Sequence, residues 1–154
     1  MLANGCALQD TINNFILVGE SNTRINDLNT GCAANNYDNR IAQSVTLMTS
    51  SVYTAFVSSQ YSSSEYVGIW IDFDDDSVFE PSEQVGARLL NSTLNTPVTM
   101  TIPAAGGSVV GVHRMRVSVL YAVPANPCGP PASFGETHDY TVNIIAYAGE
   151  LFAK

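Results

Sequence analysis

Twelve residues near the middle of the chain, Asp72-Phe-Asp-Asp-Asp-Ser-Val-Phe-Glu-Pro-Ser-Glu83, place carboxylates at the first, third, fifth, ninth and twelfth positions. That spacing suits calcium, which takes six to eight hard oxygen ligands. A chain curling round the ion offers alternate side chains and one backbone carbonyl before a bidentate carboxylate closes the shell. Asp72, Asp74, Asp76, the carbonyl of Val78 and Glu83 are the expected ligands. Carboxylates so close together repel one another unless a cation sits among them. Magnesium fits less well, because it keeps several waters and uses few protein ligands. Ser77 stands at the sixth position, where such loops carry Gly for a positive φ. The turn is therefore expected to be wider, or residue 77 to take another conformation.

Other reactive side chains form no catalytic pattern. His113 lies beside two arginines and His138 near the start of a final apolar run, and neither joins a Ser, Cys or metal constellation. Both are expected to be strand residues. Cys6, Cys32 and Cys128 lack the clustered pairs of a zinc site, so one disulfide and one leftover thiol are expected. Three pairings are open, and the odd cysteine could bridge to a neighbouring subunit. Cys128, in NPCGPP, reads as half of a disulfide rather than a nucleophile, because a Pro-rich loop supplies nothing to lower its pKa. The acidic loop is too tight for the two opposed carboxyls of glycoside hydrolysis. The expectation is a non-enzyme.

The elements that must carry these residues are strands. Runs of β-branched and aromatic residues recur at 11–18, 40–47, 52–58, 66–73, 84–90, 98–102, 113–121 and 138–146. Nothing has the period of a long amphipathic helix. Eight short strands imply an all-β, two-sheet β-sandwich of Greek-key or jelly-roll type, because each sheet must bury an apolar face against another. In HRMRVSVLY, Met115, Val117, Val119 and Tyr121 share the expected core face, opposite Arg114, Arg116 and Ser118. Segments 26–39, 58–65 and 123–136 are loops by composition, the last stiffened by Pro124, Pro127, Pro130 and Pro131. With no linker or repeat, residues 1–154 are expected to form one domain. The tail 145–154 still carries Tyr147, Leu151 and Phe152, which is unusual for a free terminus.

Bulk composition narrows the partners. Only 13% of the 154 residues are charged, so the polar surface rests on Ser, Thr and Asn, as in extracellular β-proteins. The net charge of −8 disfavours nucleic acid and anionic membrane. No run approaches the roughly 20 apolar residues of a membrane span, so no membrane insertion is expected. The start, MLANGCALQD, lacks the basic and apolar regions of a signal peptide, so the chain is expected to be a mature, secreted or cell-surface form.

Several segments together resemble the GEVED domain family: GIWIDFDDDSVFEPSEQV, VTMTIPAAGG, HRMRVSVLY and PCGPPASFGETHDYTVNI. The family's closing motif stands here as Gly135-Glu136-Thr137-His138-Asp139-Tyr140. TINNFILVGESNTRINDLNTGC and NNYDNR resemble its opening. The resemblance implies a β-sandwich module of secreted and cell-surface proteins; it does not imply an active site. The family pattern has Asn and Gly where this chain has Asp74 and Ser77, and Val-Glu where it has Thr137-His138. Arg114 and Arg116 match the family's Arg-Met-Arg element and are expected to pair with Glu136, Asp139 or the acidic loop. Glu136 and Asp139 are second-rank calcium ligands.

Two functions follow as expectations. The first is a structural or adhesive subunit, stabilised by calcium, joining copies of itself head to tail into a fibre. Residues 11–18, or the tail through Phe152, would complete a neighbour's sheet by edge pairing. The alternative is a calcium-containing carbohydrate-binding module with glycans stacked on Tyr53, Tyr61, Tyr66 or Trp70, although Trp70 sits in an apolar strand and is expected in the core. A plain spacer from a longer chain is a third. The sequon Asn91-Ser92-Thr93 permits N-glycosylation.

Overall fold

The computed structural model describes residues 5–128 and 134–151. Pro130, Pro131 and Phe152, singled out above, lie outside them. The described strands are β1 (Asn14–Val18), β2 (Arg24–Asp27), β3 (Tyr37–Met48), β4 (Val52–Ser58), β5 (Glu65–Ile71), β6 (Gln84–Leu90), β7 (Thr96–Thr101), β8 (Gly111–Tyr121) and β9 (Gly135–Ile145), followed by a one-turn helix, α1 (Ala148–Leu151). They form a four-stranded sheet in the order β2-β1-β4-β7 and a five-stranded sheet in the order β3-β9-β8-β5-β6. The fold is all-β, with the two sheets packed as a sandwich. Every neighbouring pair is antiparallel except β3 and β9, which run parallel with a register shift between Asn39 and Ser44. Among the described residues no helix is long and apolar enough to cross a membrane.

Alternation along the strands builds the core. Phe15 and Leu17 of β1, Ala55 and Val57 of β4, and Val98 and Met100 of β7 meet Val67, Ile69 and Ile71 of β5 and Met115, Val117 and Val119 of β8. Each side chain of this set is at most 1% exposed, and full burial of a Leu, Ile, Val or Phe is worth about 1.5–3 kcal/mol. Tyr121 departs from the expected core face. It is the last residue of β8, half-buried, with its ring against Tyr61 rather than between the sheets. Trp70 is buried but faces the opposite side of its sheet from the core, its ring lying over Gly68, where any Cβ would collide with it. The strict two-residue period of β5 sends Ile69 and Ile71 inward and so Trp70 outward.

Two further expectations are corrected. Segment 26–39 is not a continuous loop: β2 ends at Asp27 and β3 begins at Tyr37. The Asn and Gly content masked a short strand whose inward residues are Ile25 and Asp27. The first strand is not a free terminal arm either, since β1 lies inside its sheet, paired with β2 on one side and β4 on the other.

Candidate metal centre

The acidic loop links β5 to β6 at one end of the sandwich. Ligand oxygens of Asp72, Asp74 and Asp76 lie within 4.8 Å of one another, and those of Asp74, Glu80 and Glu83 do likewise. Asp72 is the buried anchor: its Oδ1 accepts from Asp76 N at 3.2 Å and its Oδ2 from Ser77 N at 2.9 Å. Asp76 Oδ1 accepts from Val78 N at 2.8 Å. Asp75 and Ser77 sit at φ 57° and 70°, so the serine takes the left-handed conformation that glycine supplies elsewhere, and the expected deviation at residue 77 does not occur.

The far end of the loop is closed by Glu83, whose Oε1 accepts from Phe73 N at 2.8 Å and Oε2 from Glu80 N at 3.1 Å. Its two oxygens therefore hold backbone as well as facing Asp74. Glu80, at the ninth position but outside the expected ligand set, belongs to the cluster. A hydrogen bond with Glu83, partial burial and the charges of Glu83 and Asp76 push its carboxyl up to about 7. Burial, and then the neighbouring carboxylates, also raise Asp74. Among the described residues none of these five carboxylates is paired with Lys or Arg.

Strand β8 fixes the loop from below. Asp72 N donates to Arg114 O at 3.0 Å. His113, buried, packs its ring edge against Phe73 and places Nδ1 2.9 Å from Asp75 Oδ1 and Nε2 2.8 Å from Val109 O. The guanidinium of Arg116 lies 4.6 Å from the centre of the Phe79 ring. His113 and Phe79 carried no sequence signal for this task, because both act across strands far apart in the chain.

Glu136 and Asp139 do not reach the acidic cluster. Residues 135–140 alternate between two buried clamps, one on each face of β9. On the core face, Glu136 Oε1 accepts from Ile12 N at 2.8 Å and Oε2 from Ala33 N at 2.6 Å. His138 sits between Glu136, whose Oε1 lies 3.1 Å from Nε2, and the Tyr140 hydroxyl, 3.1 Å from Nδ1. Tyr140 donates to Asp27 Oδ2 at 2.8 Å and stacks on Phe15 with centroids 5.0 Å apart. Arg40 completes the chain with a 2.8 Å bond to Asp27 Oδ1. Burial, then the Asp27 carboxylate, drives the Tyr140 phenol far above its ordinary range.

On the outer face, Asp139 is fully buried beneath two arginines. Arg116 donates to it twice, at 2.7 and 2.8 Å, Arg114 Nε lies 2.8 Å away, and Tyr37 donates its hydroxyl at 2.7 Å. Burial alone would raise this carboxyl, but the bonds from Arg116 and Tyr37 and the two guanidinium charges hold it below the ordinary carboxylate range. The arginine pairing expected from sequence is thus made to Asp139, one of the three partners considered.

Cys6 and Cys32 form a disulfide, and Cys128 is free and exposed, which corrects its assignment as a disulfide half. Asn91 is exposed, its Oδ1 accepting from Ser64 N at 2.9 Å. Of the aromatic platforms, Trp70 is buried, and Tyr53 is engaged through its hydroxyl with Glu20 at 2.9 Å and Met48 N at 2.8 Å. Tyr61 and Tyr66 stay partly exposed.

With this geometry in place, comparison with protein families finds a match to the GEVED domain over residues 66–143, half of the chain. The matched stretch holds the acidic loop, β8 and the clamp residues of β9. Comparison with curated proteins finds no match.

Proposed function

The chain belongs to the GEVED domain family, and from that premise we propose that it is a non-catalytic extracellular subunit, structural or adhesive, that binds calcium and assembles with copies of itself into a fibre. The observation that carries the reading is the acidic loop: five carboxylates gathered without a Lys or Arg among them, on a backbone pinned by Asp72, Glu83 and His113. Hard, anionic oxygens in this number fit calcium. Asp72, Asp74, Asp76, the Val78 carbonyl and Glu83 would hold the ion, with Glu80 added. The ion would neutralise the repulsion among these carboxylates. A rigid sandwich has no hinged helix pair to open, so the role is structural.

Export is supported by the disulfide, which persists in oxidising compartments, and by the family. The non-catalytic reading is supported by both histidines being engaged in structural contacts. Assembly is supported by the outer face of the four-stranded sheet, where Phe56 lies opposite Ile16 on one side and Pro97 on the other, with Val18 and Val52 exposed nearby. Edge pairing would fall to the outer edge of β3 before its bulge, because farther along Thr46 and Met48 are already bonded to Glu20, Thr23 and Tyr53. The exposed sequon at Asn91 leaves room for a glycan in a host able to attach one.

The test is unfolding with and without the ion. At calcium a hundredfold above its Kd, the unfolding free energy should rise by about 2.7 kcal/mol, and Asp72→Asn combined with Asp76→Asn should abolish the rise. No calcium-dependent shift in the native chain would remove the ion from the account.

A further inference from the structure

An open, largely apolar cavity lies away from the acidic loop, with a volume of about 120 Å³ and walls formed by Leu8, Asp10, Tyr61, Tyr121 and Phe134. One water needs about 10–15 Å³ of such space, so the cavity accommodates a group of several heavy atoms. Three of its walls are aromatic. Tyr61 meets Tyr121 edge to face at 5.4 Å, and Tyr121 meets Phe134 the same way at 6.2 Å. These rings are mounted on fixed backbone: Tyr121 N donates to Phe134 O at 2.9 Å, and Ala122 N to Ser64 O at 2.8 Å.

The remaining polar wall is a carboxylate, Asp10, only 3% exposed. It sits in a tight turn in which Thr11 N donates to Gln9 O at 2.9 Å and Gln9 takes φ 81°. Beside it is Glu65, fully buried and opposite Tyr121 in the β5–β8 ladder. Neither Glu65 oxygen has a hydrogen bond of good geometry among the described residues. Burial, and then a hydrogen bond to Asp10 and its charge, push Glu65 up to about 9, and Asp10 is the acidic residue of the pair that lines the cavity. Among the described residues no Lys or Arg pairs with either carboxyl. Burying acidic groups without a cation is costly, and the fold carries that cost at the floor of an aromatic box.

We propose that this cavity binds an organic ammonium group, held by the faces of Tyr61, Tyr121 and Phe134 and by the carboxylate of Asp10. Aromatic rings offer their negative faces to such a cation, and a carboxylate supplies the balancing charge. A neutral sugar or an apolar group would leave the buried pair Asp10 and Glu65 without a cation. The ammonium is either the end of a lysine side chain on a partner protein or a free quaternary amine.

The proposal is tested by nuclear magnetic resonance titration of the full chain at constant ionic strength with choline, with N-acetyl-lysine methylamide, and with 3,3-dimethylbutanol as the neutral analogue of choline. At least one cation should shift the Tyr61, Tyr121 and Phe134 ring signals saturably, with a Kd on the order of 1 mM or tighter, while the alcohol does not. The tighter of the two cations identifies the source. Asp10→Asn should weaken the cation by about tenfold or more. Tyr61→Leu, at the exposed mouth and so harmless to folding, should weaken it several-fold. Equal binding of the alcohol, no saturation by either cation, or full affinity in Tyr61→Leu would overturn the proposal.

Discussion

Asp139→Ala should lower the unfolding free energy by about 3–5 kcal/mol, the cost of removing one member of a buried ion pair and stranding the other. Arg116, with only 22% of its side chain exposed, would lose both hydrogen bonds to the carboxylate, and Tyr37 would lose its acceptor. In a domain of this length each kcal/mol moves Tm by about 2–4 °C, so a drop on the order of 10 °C is expected. Trp70, paired across the ladder with Arg116, offers a fluorescence signal at the lesion. Arg114→Ala makes the control: its side chain is 42% exposed, and a solvent-screened pair contributes at most about 1 kcal/mol. If both variants unfold alike, the clamp does not have the weight given to it here.

The same carboxylate sets an acid limit. Its folded-state pKa is depressed, so its stabilisation is complete above the unfolded value near 3.9 and is lost as pH falls from there through the lower folded value. Asp139→Asn should lack that component of the acid transition.

Removing the Cys6–Cys32 bridge should cost about 3.5 kcal/mol, from the loop-closure entropy returned to the unfolded chain by a 26-residue separation. The bridge also sits beside the two amides that Glu136 caps, at Ile12 and Ala33. Denaturant unfolding of the Cys6→Ala, Cys32→Ala variant measures the loss. A change below about 1 kcal/mol would mean that Glu136 alone fixes this corner. Cys128→Ala, which removes the exposed thiol, should leave the unfolding midpoint unchanged.

These two lesions fall where sequence said least, and the reason is physical. Strand periodicity is local, so β4 and β6 could be bounded to the residue from 52–58 and 84–90. The acidic loop was legible for the same reason, as its carboxylates and Val78 lie within twelve residues and the chain itself brings Asp72, Asp74 and Asp76 together. Long-range pairing has no such signal. β2 was hidden because its inward residue Asp27 is a charge, tolerable in the core only through Tyr140 and Arg40, which lie far along the chain. The parallel pairing of β3 with β9 and the choice of Cys32 over Cys128 depend on the same distant contacts. The closing motif was recognisable as a pattern, yet its work is invisible in it: Glu136 binds the backbone of the opening segment, while Asp139, three residues on, faces the other way.

Electron microscopy of the purified chain, in calcium and then in excess chelator beside a sizing column, tests the central claim most directly. Regular fibres should form in calcium and loosen or dissociate when the ion is withdrawn; a monodisperse monomer in both conditions would rule assembly out.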